Sequence, residues 1–78
     1  MSVTVLYFAS LRDAAGCDSE VVAMPDSLPA LYASLQAKRG FALAADRLRV
    51  AVDGQFVPWN SVIRDGAEIA FIPPVSGG

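Results

Sequence analysis

Seventy-eight residues, 54% hydrophobic and 18% charged, make one small domain and exclude a disordered chain. A chain of this size hides only a little over ~60% of its unfolded surface, so a cavity of ~300 Å³ or more would hollow out the only core available. The net charge of −2, with scattered basic residues and no apolar run of about 18, argues against nucleic acid and against a membrane span.

Val3 to Ser10 starts apolar and β-branched and reads as a strand. Leu11 to Gly16 suits a short helical turn or a loop ending at the glycine. Asp18 to Met24 reads as a second strand. Ser27 is a helix N-cap, and Leu28, Leu31, Tyr32 and Leu35 follow at spacings of three and four, one apolar stripe. Pro29 falls in the first turn, where a missing N–H does no harm. Lys38 and Arg39 favour the helix C-terminus, and Gly40 closes it. Phe41 to Ala45 is an apolar connector without an assignment. Leu48, Val50 and Val52 alternate with Arg47, Arg49 and Ala51, a strand buried on one face. Asp53-Gly54 signals a two-residue hairpin into a short strand at Gln55 to Val57. Pro58 to Val62 is irregular, Arg64 to Gly66 is a turn, and Ala67 to Ile72 is the last strand. Pro73-Pro74 ends it, since neither can donate to a ladder.

This ββαβ(β)β order resembles the β-grasp, or ubiquitin-like, fold: an α+β roll with a mixed four- to five-stranded sheet packed on one main helix. The resemblance puts the first and last strands side by side and parallel in the centre. It divides the chain into a β-grasp domain, residues 1–72, and an extended tail, residues 73–78. Period-two alternation then sorts the strands by face. Val3, Val5, Leu48, Val50, Val52, Ile69 and Phe71 are expected under the helix. Leu6, Phe8, Ala51, Ala70 and Ile72 are expected on the open face, with Arg49 and Glu68 near its edge. Such an apolar cluster is either a partner surface or a patch covered by Phe41 to Ala45.

The chain ends Pro73-Pro74-Val75-Ser76-Gly77-Gly78. Two prolines favour extended polyproline geometry, and six residues reach at most ~20 Å. The terminal glycines, without side chains, are able to thread a narrow channel in another protein and leave the Gly78 carboxylate sterically open. That carboxylate is a poor electrophile, so a partner must first activate it; an acyl-adenylate is the expected form, and sulfur transfer to it would give a thiocarboxylate.

Several stretches together resemble the small subunits of molybdopterin synthase over essentially the whole length. They are Val5 to Asp13 with Gly16, the Ser27-led helix, Val50-Ala51-Val52, and Asp65 to Gly78 with its Pro-Pro-Val-Ser-Gly-Gly ending. The resemblance implies a sulfur carrier for molybdenum cofactor biosynthesis, non-catalytic by itself and part of a heterotetramer. An adenylating enzyme related to ubiquitin activators would charge Gly78 with ATP, and a sulfur donor protein would convert it. The tail, Pro73 through Gly78, would then enter the large synthase subunit and deliver sulfur for the dithiolene. By the same resemblance Phe8, Phe56 and Ile72 form the docking surface, with Arg12 a polar contact beside it. Asp53-Gly54 and Ala67 depart from the usual pattern, both away from the tail.

The remaining chemistry-bearing residues form no catalytic set. Cys17 reads as an incidental thiol without a His base. Asp13, Asp18 and Glu20 read as solvated carboxylates, and Trp59 as a cap on the core. Arg47 and Arg49, sharing a strand face, either steer an acidic partner or are simply solvated. One Cys and no His leave no metal ligand set, and no resident cofactor is expected. The lone cysteine and the absence of a basic leader make a cytoplasmic location the expectation. A thiamine-pathway sulfur carrier and a ubiquitin-like protein modifier are the competing functions.

Overall fold

A computed structural model describes residues 1–74 of the chain. In chain order the elements are β1 (Ser2–Tyr7), α1 (Ala9–Ala15), β2 (Ser19–Ala23), α2 (Leu28–Arg39), a 3₁₀ turn (Ala45–Arg47), β3 (Arg49–Val52), β4 (Gln55–Val57) and β5 (Glu68–Ile72). The five strands form one mixed sheet in the order β2-β1-β5-β3-β4. β1 and β5 are its parallel central pair, aligned from Thr4 opposite Glu68 to Tyr7 opposite Phe71. This is the β-grasp arrangement.

Local signals set the elements. The Ser27 hydroxyl accepts the Ala30 N–H at 3.1 Å, so α2 begins with one of its orphan donors satisfied. Gly40, at φ +73°, closes the same helix by donating its N–H to the Gln36 carbonyl at 2.8 Å. Asp53 (φ +51°) and Gly54 (φ +85°) are both left-handed, as a two-residue hairpin matched to strand twist requires, and they set Val52 opposite Gln55.

The core lies between the sheet and α2. Two cross-strand rows face the helix, Val5–Ile69–Val52 and Tyr7–Phe71–Val50–Val57. The helix answers with Leu28, Leu31, Tyr32 and Leu35, all buried. Tyr32 is the hub of an aromatic cluster, with ring centroids 5.2 Å from Phe71, 6.0 Å from Phe41 and 6.3 Å from Trp59. Its hydroxyl donates to the Leu43 carbonyl at 2.6 Å, so the polar tip is satisfied where the ring is buried. Phe41 and Leu43 therefore belong to the helix side of the sheet, which places the connector that the sequence left unassigned. Trp59 stacks on Phe71 and donates to the Leu48 carbonyl, closing the core as expected.

Three expectations are corrected. β1 stops at Tyr7 instead of running to Ser10: Ala9 takes a left-handed φ of +50° and turns the chain into α1, leaving Phe8 at the corner. The segment after it takes the helical form of the two that the sequence allowed, and Gly16 at φ +75° closes it as expected. Arg47 lies in the 3₁₀ turn and shares no strand face with Arg49. Glu20 is not a solvated carboxylate. It pairs with Val5, and alternation along β2 turns its side chain to the helix face. There Arg39 reaches it at 2.6 Å, Lys38 at 3.3 Å and the Tyr7 hydroxyl at 2.6 Å. One carboxylate thus clamps the helix C-terminus to β1 and β2. Burial alone would raise the Glu20 carboxyl, but the hydrogen bonds from Tyr7, Arg39 and Lys38 outweigh it and hold the group below its ordinary 4.5. Burial and the adjacent carboxylate push the Tyr7 hydroxyl upward.

Because the folded value for Glu20 is depressed, its stabilisation is fully present above about pH 4.5 and is lost as pH falls through the lower folded value. Glu20→Gln, which strands the Arg39 and Tyr7 donors, should cost about 1–3 kcal/mol in urea denaturation at pH 7. The deficit relative to wild type should shrink as the pH is lowered below 4. An equal deficit at pH 7 and pH 3 would show that the clamp is not electrostatic.

Candidate functional site

The sheet has a second face, which α2 does not cover. Cross-strand register places Ser19, Leu6, Ala70, Ala51 and Phe56 in one row across all five strands. The two central members are alanines, paired directly and each only 7% exposed. Their short side chains make a floor, with Leu6 standing on one side and Phe56 on the other. The next level toward the end of β5 holds Ile72, paired with Arg49. Phe8 follows Tyr7, the residue paired with Phe71, and so stands beside this level at the corner where α1 begins. The open face is thus an apolar saddle, and the chain leaves β5 at its rim.

The structure assembles the expected docking residues around that exit. Phe8 is 46% and Phe56 56% exposed, large values for aromatic side chains in so apolar a chain, while Ile72 is half-buried. Arg12 projects from α1 beside Phe8, and together with Leu6, Asp18 and Ser19 the two line a shallow hollow. Its guanidinium approaches Asp18 only at 3.9 Å, with both groups largely exposed, so the pair is loose and worth little. Pro73 is half-buried against the rim and Pro74 is exposed. Val75, Ser76, Gly77 and Gly78 lie outside the described residues. The alternative in which Phe41 to Ala45 covers Leu6 and Phe8 is excluded, because Phe41 packs on Tyr7 and Tyr32 on the other side of the sheet.

One contact was legible in the sequence and was not read there. The Arg49 guanidinium carbon lies 4.1 Å from the centroid of the Phe56 ring. A two-residue loop at Asp53-Gly54 sets Ala51 opposite Phe56, so Arg49 is the diagonal neighbour of Phe56 on the same face. Hairpin register alone would have found it.

The described residues offer no catalytic constellation. Cys17 is half-buried and free. Among the described residues no group of three His, Cys, Asp or Glu stands close enough to hold a metal ion, and no helix is long and apolar enough to cross a membrane. An open depression of about 690 Å³ is built around Met1, Met24 and the helix start, not around the tail. What the arrangement is suited to do is bind: an apolar saddle where the chain leaves β5 through Pro73 and Pro74.

Comparison with known proteins agrees. Residues 5–78 match the ThiS family. The molybdopterin synthase sulfur carrier subunit of Escherichia coli is 36% identical, over 97% of this chain and 99% of that protein. That of Haemophilus influenzae is 34% identical over the same shares. Among solved structures, a protein–protein complex of subunits 1 and 2 of the molybdopterin-converting factor from Helicobacter pylori contains a chain similar in fold. The TM-score is 0.72 at 26% identity, with all of both chains covered.

A docking role for the saddle separates from a packing role by stability. Phe8→Glu should change the free energy of unfolding by about 1 kcal/mol or less in urea denaturation, as for other exposed positions. A loss of several kcal/mol would make Phe8 part of the fold's support.

Proposed function

The chain belongs to the ThiS family, among the molybdopterin synthase sulfur carrier subunits, and from that premise we propose how it works: Gly78 carries sulfur as a C-terminal thiocarboxylate, and the open face docks the carrier on its partners. The observation that supports this best is the position of the apolar saddle. Phe8 and Ile72 flank the point where β5 gives way to Pro73 and Pro74, and Phe56 stands two strands away on the same face. A partner gripping that face is thereby positioned to receive whatever follows the prolines.

The chemistry assigned to Gly78 runs in two steps on partner proteins. An adenylating enzyme of the ubiquitin-activating type brings ATP. A carboxylate oxygen of Gly78 attacks the α-phosphate, pyrophosphate leaves, and an acyl-adenylate results. A sulfur donor protein then releases sulfur at the sulfide level; it attacks the activated carbonyl, the C–O bond to AMP breaks, AMP leaves, and the thiocarboxylate remains. The large subunit of molybdopterin synthase receives the tail, and the sulfur goes into the dithiolene of the molybdenum cofactor. In this scheme the chain contributes the end group and the handle, while catalytic groups come from its partners. Gly77, Ser76 and Val75 serve as the slender part of the insert, and Arg12 as a polar contact beside the apolar surface. The cytoplasm is where ATP and a reduced sulfur donor meet, which also suits the lone Cys17.

The full-length relatives carrying the molybdopterin synthase name favour this reading over the thiamine route. A protein modifier would share the activation step but would leave covalent adducts on lysines of other proteins.

Intact-mass spectrometry after co-expression with the adenylating enzyme and sulfur donor should show a fraction heavier by the difference between sulfur and oxygen. Deleting Gly78 should abolish that shift and sulfur transfer while leaving the thermal unfolding curve unchanged. Transfer retained by the shortened chain would overturn the assignment.

A further inference from the structure

Arg49 stands at the root of the tail, its Cα paired with Ile72 across β3 and β5. Its guanidinium lies over the Phe56 ring at 4.1 Å. The ion pairs among the described residues join Arg12 to Asp18 and both Lys38 and Arg39 to Glu20, so Arg49 has no carboxylate of its own there. The carboxylate that shares its face, Glu68, sits four residues earlier on β5, about 13 Å away along the strand at ~3.3 Å per residue. The open face is therefore positive where the tail leaves and negative at its far end.

Apolar contact is non-directional. Phe8, Ile72 and Phe56 can hold a partner's surface, but they do not by themselves dictate which way the sheet is laid down. A chain that must send its end group into a narrow opening needs that direction set. An exposed cation–π contact favours the stacked rotamer by only about two- to five-fold, yet it leaves the guanidinium N–H donors unspent. It also holds two otherwise mobile side chains in one geometry before binding, which lowers the ordering cost at the interface. A planar fork held this way suits a carboxylate, which it engages through two parallel hydrogen bonds.

We propose that Arg49, seated on Phe56, is a specificity-determining contact of the docking face: it receives a carboxylate on the partner's surface beside the opening that admits the tail. The negative charge of Glu68 at the other end opposes the reversed orientation. This rests on the reading that the open face docks on the large subunit of molybdopterin synthase, and it adds the charge that subunit must present.

The test uses the full chain and the large subunit from the same organism, with affinity measured by titration calorimetry across a salt series. Arg49→Gln should weaken binding about 10-fold at low salt and flatten the dependence of affinity on salt, as loss of an interfacial charge does. Arg49→Met, which keeps an apolar side chain over Phe56, should lose as much. Arg49→Lys, which keeps the charge without the fork, should lose less. Wild-type affinity and salt dependence in Arg49→Met overturn the inference, because packing on Phe56 would then be the whole contribution of Arg49. Should wild-type protein bind and carry sulfur while all three variants behave like it, the docking reading stands and only the carboxylate contact falls. Should wild-type protein fail to bind, both fall.

Discussion

The parallel pairing of β1 with β5 is the constraint from which the rest follows. It joins the first and last strands in the middle of the sheet, linking residues as far apart in sequence as Thr4 and Glu68. It also aims β5 outward beside the corner where β1 turns into α1. That single register brings Phe8 next to Ile72, puts Leu6 against Ala70, and makes the root of the tail part of an apolar face instead of a loose end. A slip of one residue would exchange the two faces of the strand and bury the saddle in place of the core.

The two faces of the sheet are built differently. On the helix side, Tyr32 gathers Phe41, Trp59 and Phe71 into one cluster, and Glu20 ties the end of α2 back to β1 and β2. On the open side the middle of the sheet is filled with alanines. Ala51 and Ala70 are buried by their neighbours without rising above the backbone, and the larger side chains stand around them. A small domain has little apolar surface to spare, so the exposed Phe8 and Phe56 are costly to keep in water. The docking proposed for this face would cover both.

The elements that could be read from the sequence were those set by short-range chemistry. The Ser27 cap, the Leu28-Leu31-Tyr32-Leu35 stripe, Gly40 and the Asp53-Gly54 hairpin each encode their geometry within a few residues, and each appears as expected. The errors came where a residue answers to something distant. Glu20 looked like one of three loop carboxylates because Arg39, 19 residues on, meets it only after α2 crosses the sheet. Strand β1 looked longer because nothing in Phe8-Ala9-Ser10 announces a left-handed alanine. The Arg49–Phe56 contact lay between these cases, implied by the hairpin register but visible only once register was followed diagonally.

By itself the sequence determined the kind of molecule: the periodicities of one helix and alternating strands, the break at Pro73-Pro74, and a family resemblance concentrated in the closing residues. These are local or nearly local properties, since dihedral preference and side-chain period act over a turn or two of chain. Tertiary structure alone decided which side of the sheet Phe41 covers, that Glu20 is a clamp, and that Arg49 stands at the tail's root beside Ile72. Those depend on which strands become neighbours, and strand neighbourhood is set by burial of the whole core at once, a quantity no short stretch of sequence carries.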